Sequence, residues 1–294
     1  MASLKEVRLR IVSVGSTQQI TKAMKMVSAA KLRRAQDAIL ALRPYAQKLQ
    51  EILENLSESM GEEGGKYARV RPAEKVLIIA ITSNRGLCGA FNSNVIRTVN
   101  RLLSDKYAAQ NKAGQVKVMC IGKKASDFYS KNKEAYLGNH NDLFAGITFD
   151  AVAKIAESVM HDFATEKYDR VEIVYNQFKN AATQLITTEQ MLPIQPATKT
   201  ADKAKKMVSD YIFEPGQAEI VSELIPKSLK TQLFKAILDS HASEHGARMT
   251  SMNKATDNAE ALIKQLKLSY NKARQAAITN EILEIVGGAE ALNG

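Results

Sequence analysis

The sequence predicts an α/β protein in which the N- and C-terminal helices form a long antiparallel two-helix coiled coil and a central domain holds a parallel sheet. Two observations lead to this prediction. Near both ends of the chain, apolar residues recur at alternating steps of three and four, which is the spacing of a coiled-coil seam. Between these ends, short β-branched apolar runs alternate with stretches typical of helices, as in a parallel sheet covered by helices.

The N-terminal helix is expected over residues 1–60. Its seam begins at Leu4, Val7, Ile11 and Val14 and then slips in register over residues 15–19. It resumes for four heptads through Leu32, Ala35, Ile39, Leu42, Ala46, Leu49, Leu53, Leu56 and Met60. Pro44 removes one hydrogen bond and can bend the helix. The helix is expected to end before Gly61.

The central α/β domain is expected over residues 74–214, with a Rossmann-like alternation of strands and helices. Strands are predicted at residues 75–82, 116–121 and 170–175, with a further strand at 184–188. Helices are predicted at residues 91–107, 123–132 and 149–167. Residues 198–206 are polar and rich in lysine, which is typical of a mobile loop.

The C-terminal coiled-coil helix is expected over residues 215–294. From residue 227 to residue 286 the chain has one glycine and no proline. The predicted seam consists of Met252, Ala255, Ala259, Leu262, Leu266, Ser269 and Ala273. Gly287-Gly288 is expected to end the helix with a left-handed cap. Both terminal helices exceed the diameter of the central domain, so we expect a projecting rod, which serves to reach something or to transmit force.

Charge and cysteine content restrict the class of protein. The net charge is +10, and residues 1–50 contribute +8 of it, which indicates an anionic partner or an acidic protein surface. The two cysteines, Cys88 and Cys120, cannot form a disulfide framework and point to a reducing compartment. No run of about 18 apolar residues is present, so no membrane span is expected. The charged N-terminal residues predict no secretory signal.

One short motif suggests a zinc site. Residues 241–245 read His-Ala-Ser-Glu-His, which matches the inverted zincin motif and places His241 and His245 on one helix face. A catalytic zinc needs a third ligand and a cleft that holds water, and the surface of a rod offers neither. Two solvated histidines are the preferred interpretation. A zinc hydrolase remains the rival hypothesis, and it predicts stoichiometric zinc and loss of activity on chelation.

Three further features suggest binding or catalysis. The turn at residues 83–89 follows a strand and precedes a helix, so it can cradle an anion, but it matches no nucleotide-binding motif and is better explained as a tight structural turn. Cys88 near that helix start can serve as a nucleophile, although a packing role is preferred. The basic cluster Lys22, Lys25, Lys31, Arg33 and Arg34 can track phosphates, but it lacks interleaved aromatic residues. A nucleic-acid-binding arm is the second rival, and it predicts steeply salt-dependent binding.

Longer motifs resemble one family. Residues 20–27 (ITKAMKMV), Arg43-Pro44-Tyr45 and residues 85–89 (RGLCG) match its N-terminal helix and central-domain turn. Residues 247–249 and 255–258 match as well. Residues 270–289 fit its I-T-x-E-x-x-E-x-x-x-G-A signature. In this order, over the whole chain, the motifs resemble the gamma subunit of the bacterial rotary F-type ATP synthase.

That resemblance implies a central rotor shaft. The shaft couples ion flow through the membrane sector to conformational cycling of catalytic beta subunits, and catalytic residues and nucleotides belong to the alpha and beta subunits. No catalytic, cofactor-binding or metal-binding residue is therefore expected in this chain. The implied partners are the alpha and beta subunits, with one copy per hexamer, the epsilon subunit and the c-ring. Nucleic acid and direct membrane insertion are not expected, and the implied location is peripheral, on the cytoplasmic face of a bacterial inner membrane.

The resemblance also implies roles for particular residues. Met24 and Lys25 match positions that face an acidic lever loop of a beta subunit, and Arg274 and Gln275 match a pair that contacts a beta-subunit catch loop. Positions linked to coupling efficiency correspond to Arg248, Thr279 and Glu281. Many members of the family have Glu where Lys25 stands, which makes the lever contact more attractive here. The inserted cysteine pair of the photosynthetic forms is missing, so we expect no thiol regulation.

Overall fold

The computed structural model describes residues 4–57, 65–131, 135–194 and 217–293 of the 294-residue chain. These fall into two compact units, one formed by residues 1–29 with 248–294 and the other by residues 30–247. Two long helices, α1 (Leu4–Ser57) and α7 (Gln217–Asn293), contribute to both units. The end of the first helix predicted near Met60 and the loop predicted at residues 198–206 lie outside the described residues.

Among the described residues, the second unit contains the remaining helices and strands. Its helices are α2 (Gly65–Ala68), α3 (Phe91–Arg101), α4 (Ala108–Lys112), α5 (Lys123–Tyr129) and α6 (Phe149–Ala164), with a π-helical turn at Leu102–Lys106 and a 3-10 turn at Asn141–Ala145. Its strands are β1 (Val76–Ile81), β2 (Val116–Ile121), β3 (Tyr136–Asn139), β4 (Arg170–Phe178) and β5 (Gln184–Leu192). The predicted α/β class, with long terminal helices and a central sheet, is confirmed.

The five strands form one sheet in the order β3-β2-β1-β4-β5. The first four strands are parallel, whereas β5 runs antiparallel to β4. The expected parallel sheet is therefore a mixed sheet, because residues 179–183 are too short to make the crossover that a parallel neighbour requires. Within this turn Asn180 Oδ1 accepts hydrogen bonds from the backbone N–H groups of Ala182 and Thr183.

Alternate residues of β1 face opposite layers of helices, and all six are fully buried. Leu77, Ile79 and Ile81 belong to a cluster shared with α6 and with residues 225–237 of α7. Val76, Ile78 and Ala80 belong to a second cluster shared with α3 and α5. A strand buried on both faces reads as a continuous apolar run, which explains why the sequence identified it.

In this unit α1 keeps the predicted seam. Leu32, Ala35, Ile39 and Leu49 are buried, and Leu42 and Ala46 between them are half-buried. The side chains of Leu53, Leu56 and Met60 lie outside those described. The helix continues through Pro44.

The predicted helix at residues 91–107 is interrupted. It is α-helical as far as Arg101 and then makes the π-helical turn. After this turn the hydroxyl of Tyr107 donates to Glu172 Oε1 at 2.6 Å, and the ammonium of Lys106 pairs with the same oxygen. Glu172 is 1% exposed. A buried carboxylate needs such partners, and the extra residue of the π turn is associated with their placement.

The predicted end of the C-terminal helix is wrong. α7 begins at Gln217, includes Pro226 and continues through Gly287-Gly288 to Asn293. A glycine costs a helix only about 1 kcal/mol relative to alanine. The apolar and alanine-rich residues on both sides of the glycine pair favour the helix enough to offset that cost.

Candidate functional site

All seven residues for which the resemblance implies a role lie in the unit formed by residues 1–29 and 248–294. On α1 the seam of this unit does not slip. Gln18, Thr21, Lys25 and Ser28 continue the three-four alternation, and Thr21 and Ser28 are buried while Gln18 and Lys25 are half-buried. The predicted slip was wrong because these seam positions are occupied by polar residues, which a count of apolar spacing misses.

On α7 the seam follows Met252, Thr256, Ala259, Ile263, Leu266, Tyr270, Ala273 and Ala277. Four of the seven predicted seam positions lie on it, which are Met252, Ala259, Leu266 and Ala273. Leu262 and Ser269 were wrongly assigned to the seam, since both are exposed while Ile263 and Tyr270 are half-buried. At alternate steps the predicted and the observed seam positions are one residue apart. Both series alternate steps of three and four, so the sequence spacing alone could not separate them.

Hydrogen bonds between side chains cross this seam at Thr21 and at Lys25. Thr21 Oγ1 lies 2.8 Å from Thr256 Oγ1, and the ammonium of Lys25 donates to Asn253 Oδ1. As the residue number rises by four on α1, it falls by three on α7. The two helical segments are therefore antiparallel within this unit, as predicted.

Among the described residues, no other helix of this unit runs beside the end of α7. With Thr21 beside Thr256, the start of α1 at Leu4 lies near Ala273, and α7 continues past that point for about 20 residues, or about 30 Å. Every described side chain from residue 278 to residue 290 is exposed. The exposed side chains include five large apolar ones, which are Ile278, Ile282, Leu283, Ile285 and Val286.

The structure separates the predicted contact residues into two groups. Met24 and Lys25 are half-buried on α1. Arg274, Gln275, Thr279 and Glu281 are exposed on α7, where the hydroxyl of Thr279 donates to the backbone oxygen of Gln275 at 3.0 Å. Because Asn253 marks the level of Lys25, the two groups lie about 30 Å apart along the helices.

Arg248 is the exception among the predicted residues. It is only 7% exposed, so its guanidinium cannot be an ordinary surface charge. Charged side chains are almost never this buried unless they are paired. The sequence places Arg248 in a family motif but gives no sign of its burial.

Sequence reasoning missed the polar seam pair Thr21 and Thr256 and the partner of Lys25, Asn253. One signal was available. Val7, Val14, Thr21, Ser28 and Ala35 follow one another at intervals of seven, so the heptad phase of the apolar residues already included the two polar ones.

The histidine pair of the zinc hypothesis lies in the other unit. His245 is 5% exposed, and its Nε2 lies 3.1 Å from Nε2 of His241. The expected solvated histidines are therefore wrong, because this segment of α7 packs inside the unit and not on a rod surface. Among the described residues no group of three or more His, Cys, Asp or Glu side chains is arranged to hold a metal ion.

Within the turn at residues 83–89, Ser83 and Asn84 form hydrogen bonds with neighbouring segments of the protein. Asn92 Oδ1 accepts from the backbone N–H of Ser83 at 2.9 Å, and Asn84 Oδ1 accepts from the backbone N–H of Lys123 at 2.9 Å. Cys88 is buried in an apolar cluster with Phe91 and Ala247, which agrees with a packing role. The turn thus connects neighbouring loops, as the structural interpretation expected.

Cys120 and the basic cluster complete the predicted candidates. Cys120 is fully buried in β2, and burial raises the pKa of its thiol to about 12, so it stays protonated at neutral pH. Lys22, Lys31, Arg33 and Arg34 are exposed, whereas Lys25 is not. Among the described residues no helix is both long enough and apolar enough to cross a membrane.

Comparison with known proteins gives a consistent result over the whole chain. The family model described as ATP synthase matches residues 3–292. An ATP synthase gamma chain from Flavobacterium johnsoniae is 61% identical over 295 residues, covering 100% of both chains. The ATP synthase gamma chains of Cytophaga hutchinsonii and Geobacter metallireducens are 56% and 44% identical, again with 100% of each chain covered.

Solved structures agree on the fold. A chain of the Euglena gracilis mitochondrial ATP synthase, solved with OSCP, F1 and the c-ring, has a TM-score of 0.70 at 24% identity and covers 98% of this chain and 94% of its own. A chain from the central stalk and c-ring of the Tetrahymena thermophila mitochondrial ATP synthase has a TM-score of 0.60 at 25% identity and covers 80% of this chain and 99% of its own.

Proposed function

The chain belongs to the ATP synthase gamma-chain family, and on that premise we propose that it is the central rotor shaft of an F-type ATP synthase. It couples ion flow through the membrane sector to the conformational cycle of the catalytic beta subunits. It is a non-catalytic subunit, since the nucleotide sites of such an enzyme belong to the alpha and beta subunits.

The observation that supports this role best is the end of α7. A single helix with large exposed apolar side chains is unfavourable in water, so a covering surface is expected. A sleeve formed by the alpha and beta subunits supplies that surface. Apolar contacts are non-directional, so the helix can turn inside such a sleeve without breaking fixed hydrogen bonds.

We propose two contact sites with a beta subunit, and the positions of the side chains are compatible with both. Arg274 and Gln275 are exposed on the single-helix segment and are available to a catch loop. Met24 and Lys25 lie about 30 Å farther along the helices, level with Asn253. There an acidic lever loop of a beta subunit contacts the positively charged part of α1. Charge complementarity at few points favours orientation and rapid association over permanent attachment.

Coupling is proposed to depend on Arg248, Thr279 and Glu281. Arg248 is buried, so it acts through neighbouring side chains and not by surface contact. Thr279 and Glu281 are exposed, and they extend the same contact surface, since Thr279 is one helical turn beyond Gln275 and Glu281 is two turns beyond Arg274.

The remaining partners are the epsilon subunit and the c-ring, which dock on the central α/β domain at residues 74–214, between the coiled-coil helices proposed at 1–60 and 215–294. The complex holds one copy of this chain per alpha–beta hexamer. The chain is peripheral and lies on the cytoplasmic face of a bacterial inner membrane, without insertion of its own and without nucleic acid as a partner.

Reconstitution tests this proposal. The chain is expressed with the alpha and beta subunits of its host, the assembly is purified by size, and ATP hydrolysis is measured with and without the chain. We expect a stable complex with one copy per hexamer and activity that depends on it. Elution of the chain alone, with hydrolysis indifferent to its presence, would contradict the assignment.

A further inference from the structure

Lys25 occupies an unusual place for a lysine, because it lies on the seam between α1 and α7. Its side chain is half-buried, and its ammonium donates a hydrogen bond to Asn253 Oδ1 on the opposite helix. By contrast, Lys22, one turn earlier, is exposed. An ammonium has three N–H donors, so the bond to Asn253 leaves two for another acceptor.

The amide of Asn253 has only one orientation that satisfies both of its neighbours. Its Nδ2 donates to Asp257 Oδ2 at 3.1 Å, one turn along α7. An ionised carboxylate only accepts hydrogen bonds and an ammonium only donates them. The amide must therefore turn its nitrogen toward Asp257 and its oxygen toward Lys25.

The neighbouring turn fixes the level at which these groups meet. Thr21 and Thr256 are one turn away from Lys25 and Asn253, and their hydroxyl oxygens are 2.8 Å apart. A polar pair on a coiled-coil seam specifies register at some cost in stability. A slip of the helices would separate Lys25 from Asn253 as well as the two threonines.

We propose that Asn253 is a positioning residue that holds the Lys25 ammonium on the seam, oriented by Asp257, so that Lys25 meets an acidic segment of its partner with part of its hydrogen bonding already satisfied. The inference rests on the proposed contact between Lys25 and an acidic loop. Asn253 thereby limits the strength of that contact, because the partner carboxylate shares the ammonium with the amide. A contact of limited strength suits a shaft that must release each site in turn.

Trace acetylation of the full-length chain tests the positioning itself. Lysines are acetylated at low reagent concentration, and the rate at Lys25 relative to Lys22 is read by mass spectrometry. Asn253→Leu keeps the branched shape and the number of heavy atoms of the side chain but removes the acceptor, so the relative rate is expected to rise about fivefold. Asn253→Asp keeps an acceptor, so the acetylation rate of Lys25 relative to Lys22 should stay as slow as in the wild type. Asn258→Leu, an exposed substitution on the same helix, is the matched control and should leave the rate unchanged.

Asp257→Leu distinguishes the bond between Lys25 and Asn253 from the bond between Asn253 and Asp257. It keeps the acceptor on Asn253 and removes only the group that orients the amide, so we expect a rise in the Lys25 rate that is smaller than that of Asn253→Leu. Equal Lys25 rates in the wild type, Asn253→Leu and Asn258→Leu would overturn the proposal, because burial alone would then account for the slow reaction.

The assembled complex tests the consequence for the partner. Asn253→Leu is expected to slow ATP hydrolysis at low salt, to lose this effect at high salt, and to be relieved by a second change, Lys25→Gln. If acetylation responds as expected but hydrolysis in Asn253→Leu follows the wild type at every salt concentration, the positioning stands and the contact between Lys25 and an acidic loop is refuted. Slowing that Lys25→Gln fails to relieve would overturn the proposed role of Asn253.

Discussion

The hydroxyl oxygens of Thr21 and Thr256 lie 2.8 Å apart on opposite helices of one coiled-coil pair. Each hydroxyl is also within hydrogen-bond distance of a backbone oxygen of its own helix, Gln18 for Thr21 and Met252 for Thr256. These three contacts would each need a hydroxyl hydrogen, but the two threonines have only two. One threonine must give up its bond within the helix for the pair to bond across the seam.

Removing one of these threonines should therefore cost more than removing both. Thr21→Val removes the cross-helix bond while Thr256 keeps its bond to the backbone oxygen of Met252, and we expect a loss of about 0.5–1.5 kcal/mol in the free energy of unfolding. Thr21→Val combined with Thr256→Val should lie near the wild type or above it, since two valines pack together. Denaturant unfolding of the four proteins gives the cycle, and additive single effects would contradict a direct bond.

Gly122 is expected to tolerate no side chain. Its φ is +110°, and a Cβ at this position would lie 2.1 Å from the backbone oxygen of Thr82. Gly122→Ala combines backbone strain with this clash, and we expect a loss of more than about 3 kcal/mol. Gly114→Ala is the matched control, because Gly114 has a φ of +70° but open space around the Cβ position. A similar loss in both variants, measured by thermal unfolding, would show that the clash is unimportant.

Asp239 should make stability depend on pH. Burial raises the pKa of this carboxyl to about 6, although Lys235 and Arg43 oppose the shift, and its Oδ1 has no hydrogen-bond partner among the described residues. Since the folded pKa lies above the unfolded value of about 3.8, the folded protein binds the proton more tightly. This contribution to stability is complete below about pH 4 and is lost as the pH rises through 6.

Asp239→Asn removes that dependence. Relative to the wild type, its free energy of unfolding is expected to rise between pH 4 and pH 7, by at most about 3 kcal/mol. Denaturant unfolding at several pH values gives the comparison, and Asp37→Asn, a change at an exposed position of α1, is the control that should follow the wild type. A constant difference between Asp239→Asn and the wild type would refute the shifted carboxyl.

Truncation after Ala273 tests the role of the single-helix end. The removed segment contains one seam residue, Ala277, and otherwise lies beyond the start of α1 at Leu4, so the free energy of unfolding of the isolated chain should change little. Coupling of ATP hydrolysis to ion pumping should fall more than assembly of the complex. Asn280→Ala, an exposed polar change on the same segment, serves as the control. Full coupling in the truncated complex would refute the proposed contact with the hexamer.

The sequence predicted the elements that have a strong and continuous apolar signal. β1 and β2 were found because they are buried on both faces, and the seam of α1 was found wherever leucine, isoleucine or alanine occupies it. β3 was missed because it has four residues, one of them Gly138, and only alternate side chains face inward. Too few apolar residues remain in such a strand to form a pattern.

The candidate site was harder to predict for a physical reason. Lys25 and Asn253 are 228 residues apart, and nothing local to either residue indicates the other. The family motif placed Lys25 on a contact surface, which describes a residue position but not a hydrogen bond. The prediction that His241 and His245 are solvated was wrong for a similar reason. The surroundings of α7 differ between the two units to which it contributes, but its sequence spacing is helical in both.

Rotation of the chain within an assembled complex is the most direct test of the shaft. Cys88 and Cys120 are buried, so a cysteine introduced at exposed Lys112 can take a label selectively while the beta subunits are fixed to a surface. On addition of ATP we predict stepwise rotation of the label in one direction, stopped when this chain is cross-linked to a beta subunit. A label that stays fixed while the immobilised complex hydrolyses ATP at its full rate would contradict the role of this chain as a rotating shaft.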